Sequence, residues 1–383
     1  MLKATAEKNK IISALAKAHS IVDKKTIMNI INNVLLYSME GKLFIEATDL
    51  EISFRTSLPV NIIEEGSLTV SARKLYEIIK EIPDSELEIK EIENNWLRIS
   101  VGEQAEYTIA GLPSDDFPKF GEFPEDGLVK IPADVLKNLI NKTIFSVSYD
   151  DRKYALSGIL TEFIPLEEKS NNFILRMVSS DGHRLSLAEK EIEIDGPSDF
   201  EFLKQSAIIP RKGANELKKL AEDSEDIFLK KDEKFLYAKN GNSQLIIRLI
   251  DGTFPDYNAI IPKEKIRFII FTRSNVLGAL KRISIMSPDP SFKGVKAKIS
   301  KDVMELESIE KKTGQGQEIL NITYSGEPFD LAFNARYLID VLQIMKSENV
   351  EFIVNDNDSP CVLKGEEDEG FTALIMPMSL EDE

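Results

Sequence analysis

The chain has 383 residues and carries 48 Lys and Arg against 65 Asp and Glu, a formal charge of −17. That length exceeds one ordinary core and fits about three domains of roughly 100–150 residues. No apolar run approaches the ~20 residues that span a bilayer, no secretory segment follows Met1, and a lone Cys361 with two histidines supplies neither a disulfide nor a zinc cluster of usual spacing.

A cytoplasmic protein without metal or cofactor is therefore expected, with Cys361 as a small packing residue. The acidic total argues against nucleic acid, since phosphate binding relies on Lys and Arg. The argument concerns totals only, because one basic surface on an otherwise acidic protein suffices.

Taken in chain order, helical apolar spacing appears first in KNKIISALAKAHSIV from Lys8. It returns in SARKLYEIIKEI from Ser71, where Leu75, Ile78, Ile79 and Ile82 would share a buried face. The stretch LEIKEIENNWLRISV then reads as strand, turn, strand. The same order recurs with PADVLKNLINKTIFSV at Pro132, PRKGANELKKLAED from Pro210 (Leu217, Leu220, Ala221) and DIFLKKDEKFLYAKNGNSQLIIRL. It recurs again with RSNVLGALKRISIM at Arg273, NARYLIDVLQIMKSENV from Asn334 (Leu338, Val341, Leu342, Met345) and VEFIVNDNDSPCVLKG. Pro132 and Ser274 suit first-turn or capping positions. Three α+β units of one kind follow, expected at residues 1–128, 129–264 and 265–383.

Basic residues recur on those helices. Arg211 and Lys218, Lys212 and Lys219, Arg73 and Lys80, and Lys10 and Lys17 are each two turns apart, so each pair shares one side. Each pair alone fits a solvated face as well as a polyanion-facing one; recurrence along the chain favours the second. Glu77 and Glu81 interrupt the stripe.

Seven strings carry a family resemblance: ATDLEISF from Ala47, GLPSDDFP from Gly111, SSDGHRLS from Ser179, IPRKG from Ile209, LIDGTFPDY from Leu249, ITYSG from Ile322 and LIMPMSL from Leu374. In this order, over essentially the whole chain, they resemble the bacterial beta sliding clamps of DNA polymerase III. The resemblance implies a head-to-tail homodimer of three-domain arcs, closed into a ring around duplex DNA, with helices lining the hole and sheets outside. It implies no catalytic activity, and partners that include the polymerase alpha subunit, the clamp loader, other polymerases and repair proteins, bound through a short peptide motif.

By the same resemblance, DNA contact falls to Lys24, Lys25, Lys153 and Tyr154, and more loosely to Arg73, Arg211 and Lys212. Lys24 stands where arginine is common, and Asp150 where a polar amide can occur. The peptide pocket would use Leu156, Ser180, Gly182, His183, Arg184, Leu185, Pro255 and Ile260 in one part, and Asn334, Tyr337, Leu374, Ile375, Met376, Pro377 and Met378 in the other. His183 and Arg184 would orient the peptide. On the residues alone LIMPM reads equally as a plain terminal strand. Ser379 departs from a frequent arginine, and the chain runs on as Glu381-Asp382-Glu383. Ring closure would bring Tyr107 and Ile109 against Ile285 and Met286.

Two other readings compete. An enzyme could use Asp181 with His183 and Asp49 with Glu51, yet the sequence offers no assigned nucleophile or third ligand, and the other histidine, His19, shares a helix with Leu15 and Val22. No GxxxxGK[ST] loop is present either. A scaffold binding only proteins would lack the retention on circular DNA that a ring confers.

Overall fold

The structure is a computed structural model and describes all residues except 23–27, 84, 151, 168–170, 195–204, 223, 265, 288–292, 310–313 and 379–383. The chain forms two compact units. The first comprises Met1–Lys137, Glu193–Gln205 and Lys212–Leu249, and the second Asn138–Ile192, Ser206–Arg211 and Ile250–Glu383.

The helices follow the apolar spacing: α1 (Lys8–Ile21), α2 (Ala72–Glu81), α3 (Ala133–Thr143), α4 (Arg211–Leu220), α5 (Arg273–Ile283) and α6 (Ala335–Ile344). Helix α1 buries Ile11, Ala14, Leu15, Ala18 and Ile21, the i, i+3, i+4, i+7 stripe of an amphipathic helix. It packs on α2, where His19 stacks on Tyr76 at 5.1 Å. Ser71 and Asn334 cap α2 and α6 through Lys74 N and Arg336 N. At α5 the cap position is Thr272, and the Ser274 hydroxyl bonds Glu348 instead. Helix α6 stops short of the expected Val350, because Asp368 takes the amides of Lys346 and Ser347 and Asn349–Val354 turns into a strand.

Each unit is built on one antiparallel sheet, of thirteen strands in the first and twelve in the second. Both contain the same joint. In the first, strand Ser243–Arg248 lies beside Ile52–Pro59, pairing Ser243 with Thr56 through to Ile247 with Ile52. In the second, Phe371–Ile375 lies beside Arg184–Glu193, pairing Phe371 with Ala188 through to Ile375 with Arg184.

The turn that opens the receiving strand is also the same. The Thr48 hydroxyl donates to Ile52 O (2.9 Å) and accepts from Leu50 N (3.0 Å); the Ser180 hydroxyl donates to Arg184 O (2.8 Å) and accepts from Gly182 N (3.1 Å). Asp49 accepts from Glu51 N and Ile52 N as Asp181 does from His183 N and Arg184 N. Arg248 N donates to Glu51 O and Met376 N to His183 O, both at 2.8 Å. The middle residue is left-handed in both turns, Leu50 at φ 77° and Gly182 at φ 90°.

In the first unit the segment after Leu112 lies along the sheet. Phe117 is buried, Arg55 sits 4.0 Å over the Phe120 ring, and Phe123 meets Tyr237 edge-on at 5.8 Å. In the second unit Lys142, on α3, reaches buried Asp368 at 3.2 Å and lies 5.1 Å over the Phe371 ring. Burial works against the Asp368 carboxylate, but its bonds from Ser347 and the charge of Lys142 outweigh it, holding its pKa below the ordinary range.

Replacing Lys142 with Ala leaves that buried carboxylate without its cation and should cost about 3–5 kcal/mol, read from guanidinium unfolding. Because the folded-state pKa is depressed, the stabilisation from Asp368 is present above the unfolded carboxylate value of ~3.9 and is lost as pH falls through the lower folded one. The gap between wild type and Asp368→Asn should therefore narrow below about pH 4.

Candidate functional site

A groove of 350 Å³ opens in the second unit, walled by the turn at Ser180, the segment after Ile250 and the end of the last strand. Leu156, Ser180, Gly182, His183, Arg184, Leu185, Pro255 and Ile260 all line it, as do Leu374 and Met376. Its floor is continuous with the core formed by Leu160, Val178, Leu187 and Ile353. The segment wall is pinned from behind: the Tyr257 hydroxyl donates to Glu162 (2.7 Å) and accepts from Arg176 (3.1 Å), which also holds Glu189 (2.7 Å). At Gly182 a Cβ would meet the Lys153 ammonium at 2.9 Å, a second reason for glycine there.

Five expected residues stand outside the lining. Ile375 is fully buried, Asn334 caps α6, and Met378 N bonds Ala332 O at 2.8 Å beyond Pro377. Tyr337 stacks on His183 at 6.3 Å without lining the groove. Phe254, Asp256, Tyr257 and Pro360 line the groove without having been singled out. Three of them share the FPDY string with Pro255 and were legible there; nothing in the sequence around Pro360 marks it.

Arg184 departs from its expected role. It is buried, and each of its three nitrogens donates inside the protein: Nε to Asp181 (2.9 Å), Nη1 to Asp340 (2.7 Å) and Nη2 to Phe145 O (2.6 Å). Its guanidinium also lies 4.6 Å from the Tyr337 ring centre. It fixes the wall and does not reach for a ligand. The exposed His183 ring makes no hydrogen bond among the described residues, leaving both nitrogens available.

Of the expected DNA-contacting residues, Lys24 and Lys25 lie outside the described residues. Arg73 pairs with Glu77 at 2.8 Å on the exposed side of α2. Lys153 donates to Asp181 O (2.8 Å), Tyr154 is exposed, and Arg211 lies 3.6 Å from the centre of the exposed Tyr149 ring. Lys212 is anchored to Asp49 (2.5 Å) and Ile21 O (2.6 Å). Asp150 is matched by Arg152, which donates to both its oxygens at 2.9 Å; those bonds hold its pKa at about 2. Helices α1 to α6 together carry sixteen Lys and Arg against five Asp and Glu, leaving 32 against 60 elsewhere in the chain.

Besides the terminal strands of each sheet, two interior strands leave most of one side unpaired among the described residues. Strand Ala105–Leu112 pairs along one side with Trp96–Val101 and on the other only through Gly111 and Leu112. Strand Gln317–Thr323 pairs with Val303–Ser308 and on its other side only through Ile322 and Thr323. Tyr107 is 41 % exposed on the first edge, but Ile109 is only 3 % exposed and packs in its own core because strand alternation turns it inward. Near the second edge Ile285 is 73 % exposed, while Met286 lies against the backbone of Gly314 and Gly316. Ile319, 68 % exposed, went unnoticed in the sequence, although its alternation with Leu320 marks it.

Comparison with known proteins places these features in one family. The profiles of the DNA polymerase III beta subunit match in order: its N-terminal domain at residues 2–121, central domain at 130–256 and C-terminal domain at 258–379. The beta sliding clamp of Rickettsia bellii is 30 % identical, covering 99 % of this chain and all of the relative; that of Escherichia coli K12 is 28 % identical with the same coverage. Among solved structures, a Bartonella birtlesii sliding clamp bound to griselimycin has a TM-score of 0.90 at 28 % identity, covering 99 % of this chain and all of that one. Caulobacter crescentus pol III beta has a TM-score of 0.88 at 28 % identity and the same coverage.

The Arg184 network makes a distinguishable prediction. Arg184→Ala removes three charge-assisted bonds and should lower the thermal midpoint by about 5 °C or more. His183→Ala removes an exposed ring with no hydrogen bond among the described residues and a 6.3 Å stack on Tyr337, and should leave the midpoint within about 1 °C, as differential scanning calorimetry would read.

Proposed function

The chain belongs to the DNA polymerase III beta subunit family, the non-catalytic sliding clamps of DNA replication, and from that premise we propose that two copies close head to tail into a ring. Each copy contributes three domains, 1–128, 129–264 and 265–383, and the helices line the hole. The ring encircles duplex DNA in the cytoplasm and holds the polymerase alpha subunit, the clamp loader, other polymerases and repair proteins by a short peptide in the groove.

The observation that carries this reading is the joint made twice within the chain, with one open edge left for each half of a third. The third domain's Gln317–Thr323 corresponds to Ile52–Pro59: Thr323 pairs with Ile270 as Asn61 pairs with Thr5, which aligns Gln317 with Arg55. The first domain's last strand corresponds to Ser243–Arg248: Ile109 pairs with Leu97 as Ile247 pairs with Leu236, which aligns Glu106 with Gln244. Since Gln244 faces Arg55 within the chain, Glu106 of one copy should face Gln317 of the other. On this pairing Tyr107, Ile285, Met286 and Ile319 gather at the contact, and both open edges are satisfied.

The DNA reading rests on the basic surplus of the helices. Lys24, Lys25, Arg73, Lys153, Tyr154, Arg211 and Lys212 would touch phosphate without reading bases, which suits a protein that must slide. The peptide reading rests on the groove: aliphatic and Met side chains give an adaptable apolar surface, with His183 at its rim.

Two experiments test these readings. A chain carrying both Glu106→Cys and Gln317→Cys should give a covalent dimer on mild oxidation, against little background because Cys361 is buried and its thiol is pushed up to about 12, chiefly by burial. A stronger dimer band from Glu106→Cys with Ile319→Cys would mean a different register. Clamps loaded on nicked circular DNA should stay bound in about 0.5 M salt, where direct phosphate contacts are weak, and leave once the circle is cut. Equal loss from cut and uncut circles would rule out encirclement.

A further inference from the structure

We propose that the groove selects peptides with a Lys or Arg beside their apolar anchors, and that Asp256 reads this charge. The inference rests on the docking reading above and adds the chemistry of the occupant.

Four ionisable side chains line the groove: His183, Arg184, Asp256 and Tyr257. Two are committed internally. Arg184 is held by Asp181, Asp340 and Phe145 O, and the Tyr257 hydroxyl by Glu162 and Arg176. Two further cations that bond the groove walls are engaged as well. Arg176 bonds Tyr257 and Glu189 behind the segment wall, and Lys153 donates to Asp181 O on the turn wall.

Asp256 differs. It is exposed, its Oδ1 accepts from Asn258 N at 3.0 Å, and its Oδ2 has no partner among the described residues. Its neighbours along the chain on this wall are Pro255, Tyr257, Asn258, Ala259 and Ile260, none of them a cation. The uncompensated charge on the segment wall is therefore a carboxylate next to apolar surface. A peptide ammonium or guanidinium placed there gains a charge-assisted hydrogen bond, whereas a peptide carboxylate meets like charge with no free cation on that wall. Because Asp256 is solvent-exposed, the effect should be about two- to fivefold in Kd and should fall with salt.

The test uses the full-length dimer and three labelled peptides that share two bulky apolar anchors and differ in one flanking residue, Lys, Gln or Glu. Fluorescence anisotropy at low salt should rank them Lys, Gln, Glu in order of decreasing affinity. The ranking should collapse in Asp256→Asn and in about 0.5 M salt. A Glu peptide bound as tightly as the Lys peptide, or an unchanged ranking in Asp256→Asn, would overturn the proposal. The underlying docking reading is checked separately by the Gln peptide. If Met376→Ala and Leu185→Ala leave its affinity unchanged while the protein stays folded, the groove is not the docking site and the proposal falls with it. If they weaken it but the charge ranking is absent, only the charge selection fails.

Discussion

An unpaired sheet edge presents a row of backbone donors and acceptors that must find partners, and the arrangement of this chain follows from how its edges are paired. The last strand of a domain pairs with the strand that follows the Asx-type turn of the domain before it. Twice this happens within the chain, in registers that superimpose from Ser243 against Thr56 to Phe371 against Ala188. Register in such a ladder is not free to drift, because a slip of one residue would carry Ile247 or Ile375 from core to surface. The two joints therefore have a fixed register, and on the proposed reading the unpaired sides of Ala105–Leu112 and Gln317–Thr323 take the same one.

The groove is a by-product of the second joint. Its walls are the turn, the end of the incoming strand and the segment that leaves the central domain. At the first joint the same positions carry Leu50, Glu51 and Arg248 where the second has Gly182, His183 and Met376, and Glu51 faces Arg248 at 3.7 Å. One repeated backbone thus presents a charged pair in one place and an apolar surface in the other. The difference lies in side chains alone, since the turn bonds match within a few tenths of an ångström. Arg184 lies at the groove-side turn and ties it to Asp340 and Phe145 O, which fixes the position of that wall.

Much of this was legible in the residues. Helix positions came from apolar spacing, which acts over three or four residues, whereas the caps Ser71 and Asn334 were not singled out and Ser274, read as a cap, yields that position to Thr272. Most of the groove lining came from strings such as SSDGHRLS and LIDGTFPDY. What could not be read depends on partners far along the chain. Arg184 looked like a ligand-facing base because its acceptor Asp340 is 156 residues away. Ile109 was expected at the interface by resemblance, and its inward turn depends on which side of the strand faces its own sheet. Spacing placed Lys212 with other bases on a helix face, but it could not show that the ammonium also bonds Asp49 and Ile21 O.

Such internal pairing bears on how an acidic chain can serve a polyanion. Helices α1 to α6 hold a surplus of eleven positive charges while the remainder of the chain is strongly negative, so attraction is confined to the helical surface and repelled elsewhere. Even on the helices several cations are balanced: Arg73 by Glu77, Lys212 by Asp49, Lys219 by Glu216, Arg282 by Glu318. Each pairing reduces the number of phosphates the surface can neutralise at once, and affinity falls roughly in proportion to that number on a logarithmic scale. A protein that gripped phosphate strongly would stall on the duplex. On the proposed reading the enclosing ring supplies retention, and a partly balanced basic surface is what allows the protein to be held on DNA and still move along it.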